Sequence, residues 1–128
     1  MDYRALIVDD EETYARSIER LLTRRGVLAE RASSSAEALH KVRRRPYDLV
    51  VLDYLLPDVN GNIVCQRVRN SSQLRHTKIL FVSGVIKPDE VQALKKAGAD
   101  DFIKKPFRVD ALLARMGELL SEESANGT

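Results

Sequence analysis

The sequence predicts an α/β domain, an open and doubly wound parallel sheet of five strands with helices on both faces. Short apolar runs recur along the 128-residue chain, and segments with helical spacing of apolar residues lie between them. Most of these runs are unbroken rather than alternating, which is typical of parallel strands buried on both faces. Strands that alternate with helices are joined by right-handed crossovers, so the helices cover both faces of the sheet.

Four apolar runs predict strands, of which the first three are expected to be buried on both faces, and one mixed segment predicts an edge strand. The segment Val27 to Ala32 interleaves Glu30 and Arg31 with apolar residues, which suits the edge of a sheet. The apolar runs are Ala5 to Val8, Leu49 to Leu52, Ile79 to Val82 and the brief Phe102-Ile103.

Five segments predict helices. Ser34 and Glu37 form a capping signal for the second helix, Pro88 suits the first turn of the fourth, and Gly98 suits its C-terminal cap. The polar segment 122–128 is expected to fray or to begin a linker, so the folded domain is expected to span residues 1–121. The apolar stripes are Tyr14, Ile18, Leu21 and Leu22; Leu39 and Val42; Val64 and Val68; Val91 and Leu94; and Val109, Leu112, Leu113, Met116, Leu119 and Leu120.

The composition indicates a globular protein and excludes several other classes. Hydrophobic residues make up 44% of the chain and charged residues 31%, which argues against disorder. No apolar run reaches the length of a bilayer span, and the apolar part of MDYRALIV is too short for a signal peptide, so we expect a cytoplasmic protein that binds no membrane. A formal net charge of +2 is too small to indicate binding to nucleic acid. The single cysteine, Cys65, has no partner for a disulfide and is expected in the core.

Polar side chains follow the strands at the point where each strand ends. Asp9 and Asp10 follow the first run, Asp53 the third, Ser83 the fourth, and Lys105 lies just past the fifth. In open parallel sheets the ligand site lies beyond the carboxyl ends of the strands. We therefore expect all five residues to meet at one edge of the sheet.

These residue types suit a divalent cation and a phosphoryl group. Ionised Asp53 at the end of a buried run would be costly to fold without compensation, and Mg²⁺ bound by neighbouring carboxylates would supply it. A carboxylate can act as the nucleophile of phosphoryl transfer and form an aspartyl-phosphate. Lys105 would neutralise phosphate charge and Ser83 would donate a hydrogen bond. No residue resembles a dedicated hydrolytic base, which favours transient storage of the phosphoryl group over rapid turnover.

Four motifs in order resemble the receiver domain of bacterial two-component response regulators, over nearly the whole chain from Tyr3 to about Leu120. The spacing agrees as well, because Ser83 lies thirty residues after Asp53 and Lys105 twenty-two after Ser83. The motifs are VDDEE at Val8 to Glu12, LDYLLPDVNG at Leu52 to Gly61, FVSG at Phe81 to Gly84, and GADDFIKKPF at Gly98 to Phe107.

The resemblance implies a flavodoxin-like sheet with strand order 2-1-3-4-5, two helices on one face and three on the other. It implies that Asp53 is the phosphoacceptor and that Mg²⁺, or Mn²⁺ in its place, is the cofactor. Asp10 would ligate the metal directly and Asp9 more through water, and Asp53 and the backbone carbonyl of Leu55 would complete the protein ligands.

The resemblance also implies how the phosphoryl group is sensed. Ser83 and the aromatic Phe102 would be the switch residues, and the peptide bond before Pro106 would be cis. Leu55 and Val85 would flank the route of attacking water, and their apolar character favours slow hydrolysis.

The implied partners follow from the same resemblance. The phosphoryl donor would be a phosphohistidine on a sensor histidine kinase or a histidine phosphotransfer protein. The fourth helix, fifth strand and fifth helix would signal to an output domain or target protein, with a phosphorylation-dependent homodimer left open. Of the charged pairs typical of that dimer, only Asp101 with Arg115 is represented. The domain would catalyse its own phosphorylation and slow dephosphorylation rather than turn over substrates.

Two other functions and several structural interpretations stay open at this stage. A pseudo-receiver would act as an interaction module without phosphorylation. An aspartyl-phosphate-forming phosphatase would need a second acid two residues after the nucleophile, where this chain has Leu55. Asp9 and Asp10 could instead cap a helix, and Ser83 could satisfy a backbone group at the end of its strand.

Overall fold

Five parallel strands form one sheet in the order β2-β1-β3-β4-β5. The structure is a computed structural model and describes residues 3–84 and 87–126. The fold class and strand order predicted from the sequence are confirmed. The strands are β1 (Arg4–Val8), β2 (Leu28–Ala32), β3 (Leu49–Asp53), β4 (Lys78–Ser83) and β5 (Asp101–Lys104).

Five helices connect and follow these strands. Two of them, the first and the last, pack on one face of the sheet, and the other three pack on the opposite face. This division matches the prediction. The helices are α1 (Glu12–Arg24), α2 (Ser35–Arg44), α3 (Gly61–Asn70), α4 (Pro88–Lys96) and α5 (Val109–Asn126).

The core has two layers because successive strand residues point to opposite faces of the sheet. In β1, Leu6 and Val8 belong to the core layer on the side of α2, α3 and α4, whereas Ala5 and Ile7 belong to the layer on the side of α1 and α5. The three central strands are almost fully buried, as their unbroken apolar runs predict. Cys65 is buried in the first layer and its thiol donates to the Ala97 carbonyl at 3.4 Å.

The capping residues at the ends of α2 and α4 lie where the sequence predicts them, but one capping hydrogen bond has a different partner. The Ser34 hydroxyl accepts from the Glu37 backbone N–H at 3.1 Å and so caps α2. The Glu37 carboxylate accepts from the backbone N–H and hydroxyl of Ser33 rather than from Ser34. Pro88 opens α4, and Gly98 follows its last turn with φ of +108°, a conformation that favours glycine.

At both ends, α5 differs from the helix that the sequence predicts. The buried stripe begins at Leu112, and Val109, which was expected to belong to it, is 46% exposed. Val109 is the first residue of the helix, one turn before the helix reaches the core. The helix runs on to Asn126, into the polar segment that was expected to fray.

Candidate functional site

The carboxyl edge of the sheet, where the strands end, brings together the polar residues predicted from the sequence. Asp53 and Ser83 are the last residues of β3 and β4, Asp9 follows β1, and Lys105 follows β5. Asp9, Asp53 and Ser83 are buried at 5%, 7% and 1% exposure, and Asp10 is exposed. The expected convergence of these five residues on one edge is observed.

Three carboxylates form an acidic cluster at this edge. One oxygen each from Asp9, Asp10 and Asp53 lie within 4.8 Å of one another. Neither Asp9 nor Asp10 caps α1, because the N-cap position is Glu11 and makes no side-chain capping bond. Asp9 instead accepts the Glu11 backbone N–H at 2.9 Å, which leaves its second oxygen facing the cluster.

Lys105 is the cation that compensates the buried acids. Its amine donates to Asp9 Oδ2 at 2.7 Å and to Asp53 Oδ2 at 3.4 Å. The side chain is only 12% exposed, so its charge lies within the site rather than in solvent. Its backbone N–H donates to the Ser83 carbonyl at 2.8 Å, and the Lys105-Pro106 bond is cis, as expected.

The titration behaviour of the site follows from burial and crowding. Burial raises the pKa of Asp53 above its ordinary value, and the charge of Asp9 adds to this effect while Lys105 opposes it. Burial alone would lower the pKa of Lys105, but its hydrogen bond to Asp9 and the charges of Asp53 and Asp9 outweigh burial and raise it. The ammonium form is therefore secure, whereas the charge on Asp53 is only partly compensated.

The Ser83 hydroxyl is buried and has no hydrogen-bond partner within the described residues. It does not satisfy a backbone group at the end of its strand, which was the structural alternative for this residue. A buried hydroxyl without a partner is costly, and such a group is commonly satisfied by a ligand. The site thus offers a free donor beside a carboxylate and an amine.

Comparisons with known proteins agree on the family. The sequence profile described as "Response regulator receiver domain" matches residues 5–117. The chain belongs to the response regulator receiver family. "Response regulator ArlR" of Staphylococcus epidermidis is 35% identical over 118 residues, which are 92% of this chain and 52% of that protein. The chain therefore spans about half the length of the curated relatives it matches.

Solved receiver structures have the same fold. A response regulator receiver domain protein (CheY-like) from Methanospirillum hungatei superposes with a TM-score of 0.93 at 28% identity, covering 98% of this chain and 99% of the other. A putative response regulator from Chloroflexus aurantiacus gives a TM-score of 0.88 at 32% identity, with 94% and 99% coverage. Among the described residues of this receiver, no helix has the length and apolar character needed to cross a membrane.

The donor set of the receiver fits Mg²⁺. Carboxylate oxygens are the hard ligands that this ion prefers, and a partly open site lets it keep several waters. Asp9, Asp10 and Asp53 would hold the ion, which would neutralise their mutual repulsion. The position of the Leu55 carbonyl relative to them stays a prediction, as do the individual roles of the site residues.

Of three further residues implied by the resemblance, the structure describes Phe102 and Leu55, and their roles stay predictions. The Phe102 ring is partly buried and stacks on Phe81, its partner in β4, with centroids 6.1 Å apart. The Leu55 side chain is 64% exposed in the loop that follows Asp53. Val85, expected beside Leu55 on the route of attacking water, lies outside the described residues.

Sequence reasoning missed two residues that shape the receiver site. A Cβ at Gly61 would overlap the Asp53 carbonyl oxygen, so only glycine lets α3 begin this close to the acceptor. Tyr14 was assigned to the apolar stripe of α1, but its ring also lies over the Lys105 amine, 4.4 Å from Nζ to the ring centroid. An aromatic residue in the first turn of a helix that starts at the site edge was the available signal.

Proposed function

We propose that this receiver domain accepts a phosphoryl group on Asp53 from a phosphohistidine of a sensor histidine kinase or a histidine phosphotransfer protein. Family membership supports the general function. The observation that carries the specific function is the buried Asp53 carboxylate, with Lys105 on one side and a Ser83 hydroxyl that has no partner in the part of the chain that the structure describes. Such a site suits a ligand with several negative oxygens.

The proposed chemistry needs one bond exchange. An oxygen of Asp53 attacks phosphorus as the N–P bond of the phosphohistidine breaks, and the bonding electron pair leaves with the imidazole. Lys105 donates a hydrogen bond to one phosphoryl oxygen, and the Ser83 hydroxyl donates a hydrogen bond to another. Bound Mg²⁺ would neutralise charge on the transferring group. Within residues 3–84 and 87–126 no side chain near Asp53 resembles a dedicated hydrolytic base, so the acyl phosphate is expected to be lost slowly.

The proposed output is a shift in the α4, β5 and α5 surface. Movement of the Ser83 segment toward phosphate would free space for Phe102, which pairs with Phe81 two residues before Ser83. Asp101 and Arg115 pair within the chain at 2.8 Å across this surface. A dimer through the surface would have to exchange that pair between two copies. We propose residues 1–121 as the receiver domain and the polar segment 122–128, into which α5 continues as far as Asn126, as a tail or the start of a linker.

The test is Mg²⁺-dependent phosphorylation by a small acyl phosphate, followed by intact-mass measurement. Wild type should gain one phosphoryl group, and Asp53→Asn should gain none. Asp89→Asn makes the same carboxylate-to-amide change at an exposed position and should behave as wild type. Chelation of divalent ions should abolish the gain in mass.

Each other outcome identifies a different function. No adduct on wild type under any condition would favour a pseudo-receiver that acts without phosphorylation. Steady release of phosphate from many phosphate esters would favour a phosphatase, although the residue two positions after Asp53 is the exposed and apolar Leu55. A phosphoryl group on Asp53→Asn would show that another residue is the acceptor.

A further inference from the structure

The Lys105 amine is enclosed by three carboxylates and one aromatic ring. The nearest carboxylates hydrogen-bond to it, and the third is at ion-pair distance. The ring of Tyr14 presents its face to the same amine. The distances from Nζ are 2.7 Å to Asp9, 3.4 Å to Asp53, 3.9 Å to Glu11 and 4.4 Å to the ring centroid of Tyr14.

The ring of Tyr14 is itself held in place. Tyr14 lies in the first turn of α1 and packs against the buried layer between α1 and α5. Phe107, two residues after Lys105, meets it edge to face with centroids 5.5 Å apart and an interplanar angle of 86°. This T-shaped geometry is a favoured aromatic arrangement. The ring therefore presents a fixed face rather than a mobile one.

We propose that Tyr14 is a positioning residue that holds the Lys105 amine at the acceptor site through its ring face. The proposal rests on the function proposed above, since it assigns Tyr14 a part in phosphorylation of Asp53. A cation over an aromatic face is attracted by the ring quadrupole. The ring also excludes water from one side of the amine, which strengthens its hydrogen bonds to Asp9 and Asp53.

The ring differs from the carboxylates in a way that matters for the reaction. Asp9 and Asp53 belong to the acidic cluster, so the two carboxylates that hold Lys105 would also serve a divalent cation. An aromatic face carries no formal charge and offers no metal ligand. Lysine is a flexible point charge, and a fixed contact limits the positions it can take. Tyr14 thus holds the amine without competing for the metal.

The phenol hydroxyl is not expected to contribute through charge. Burial raises the pKa of Tyr14 above its ordinary value, with the charge of Lys105 opposing. The side chain is neutral at physiological pH and acts through its face. Phenylalanine should therefore replace tyrosine, whereas leucine, which fills an apolar site without a ring face, should not.

Phosphorylation kinetics of Tyr14→Leu and Tyr14→Phe test the proposal. The rate of mass gain is measured over a range of concentrations of a small acyl phosphate with saturating Mg²⁺. Tyr14→Leu should lower the maximal rate about three- to tenfold, the size expected of a partly desolvated cation–π contact, and leave the half-saturating donor concentration unchanged. Tyr14→Phe should retain the wild-type rate. Tyr14→Leu also loses the edge-to-face packing on Phe107, which Tyr14→Phe keeps, so the rates are interpreted together with a measurement of the contact itself.

A spectroscopic measurement without metal or phosphodonor tests the contact itself. Proton NMR of the Lys105 side chain should show upfield ring-current shifts at its terminal methylene in wild type and Tyr14→Phe. The shifts should be absent in Tyr14→Leu. Thermal unfolding of each variant shows whether it is folded, and Tyr14→Met replaces Tyr14→Leu if the latter is unfolded at the assay temperature.

The outcomes separate this proposal from the proposed function. A ringless variant that is phosphorylated at the wild-type rate would overturn the positioning role, as would a Phe variant as slow as the Leu variant. If wild type takes no phosphate, the proposed function fails, and the methylene shifts still decide whether the ring holds the amine. Wild-type spectra without those shifts would overturn the contact.

Discussion

At the carboxyl edge of the sheet the buried carboxylate of Asp53 has an incomplete set of partners, whereas Glu30 in β2 has a complete one. Glu30 accepts from the Tyr47 hydroxyl at 2.7 Å and from Arg45 at 2.8 Å, and Arg4 reaches it at 3.3 Å. The hydrogen bond from Tyr47 lowers the pKa of Glu30, while burial raises that of Asp53. The ionised carboxylate of Glu30 is thus stabilised by its partners, whereas that of Asp53 is destabilised by burial.

The difference between these regions distinguishes a carboxylate that stabilises the fold from one that is available to a ligand. A second complete network lies where β4 and β5 begin, around Arg69 and Asp100. There the polar groups satisfy one another, so no ligand is required. At the site the acids outnumber the cation, and Ser83 lacks a partner within the described residues. Such an imbalance of charge lowers the stability of the fold and is typical of sites that bind a ligand.

The largest expected effect comes from breaking the complete network at Arg69. Its guanidinium donates to the carbonyls of Gly98 at 2.8 Å and Thr77 at 2.6 Å, and to Asp100 at 2.6 Å. Arg69→Met leaves these acceptors without their donor, so we expect a loss of about 3 kcal/mol in the free energy of unfolding. Urea denaturation measures it.

The control for Arg69 is Arg67 on the same helix. Arg67 is exposed, and Arg67→Met should stay within about 0.5 kcal/mol of wild type. Folded Arg69→Met should still be phosphorylated at the wild-type rate, because Arg69 does not contact the acidic cluster. A stability loss below about 1 kcal/mol for Arg69→Met would show that the network is not structural.

A matched pair of carboxylate-to-amide changes should have opposite signs in the two regions. Glu30→Gln weakens charge-assisted hydrogen bonds and should destabilise by about 1–2 kcal/mol at pH 7. Asp53→Asn removes a partly compensated buried charge while the Lys105 to Asp9 bond remains. It should stabilise the metal-free protein by roughly 1 kcal/mol. Denaturation without divalent ions measures both.

The pH dependence of stability provides a second test of the Glu30→Gln and Asp53→Asn pair. A lowered pKa means that Glu30 contributes stability above its ordinary pKa and loses it as pH falls through the folded value. A raised pKa means that ionised Asp53 opposes folding, and this opposition appears as pH rises through the folded value. The gain from Asp53→Asn should therefore shrink in acid. Destabilisation by both variants at pH 7 would contradict the comparison.

The parts of this molecule that could be predicted from sequence are those with a local physical signal. The central strands were predictable because burial on both faces demands unbroken apolar runs. The site residues were predictable because each comes directly after a strand. The partners of Arg69 are backbone carbonyls distant in sequence, and no local pattern marks them. Gly61 was missed for the same reason, whereas Tyr14 had a local signal, an aromatic residue in the first turn of a helix at the site edge. The exposure of Val109 depends on where α5 meets the sheet.

The smallest expected effect concerns Asp58. It tests whether the location of a carboxylate or the completeness of its hydrogen bonds decides if a change to the amide stabilises or destabilises the protein. Asp58 lies in the loop after β3, near the site, yet its carboxylate accepts from the first backbone N–H groups of α2, Ser35 at 3.0 Å and Ala36 at 2.9 Å. These bonds lower the pKa of Asp58 from 3.8 to about 2. Its stabilising contribution should therefore be full above about pH 4 and lost as pH falls toward 2.

Denaturation of wild type and Asp58→Asn between pH 2 and 5 measures this contribution, in the window that its pKa of about 2 defines. The variant should be less stable than wild type at pH 5, because asparagine keeps an oxygen acceptor but loses the charge that favours a helix N-terminus. The two curves should converge as Asp58 becomes protonated. Asp10→Asn, a change to an exposed acid of the cluster, should shift stability upward in the same buffer without divalent ions. A gain in stability for Asp58→Asn would contradict this view. It would mean that charge crowding at the carboxyl edge, rather than incomplete hydrogen bonding, sets how the acids there affect stability. The contrast between Asp53 and Glu30 would then be explained by crowding.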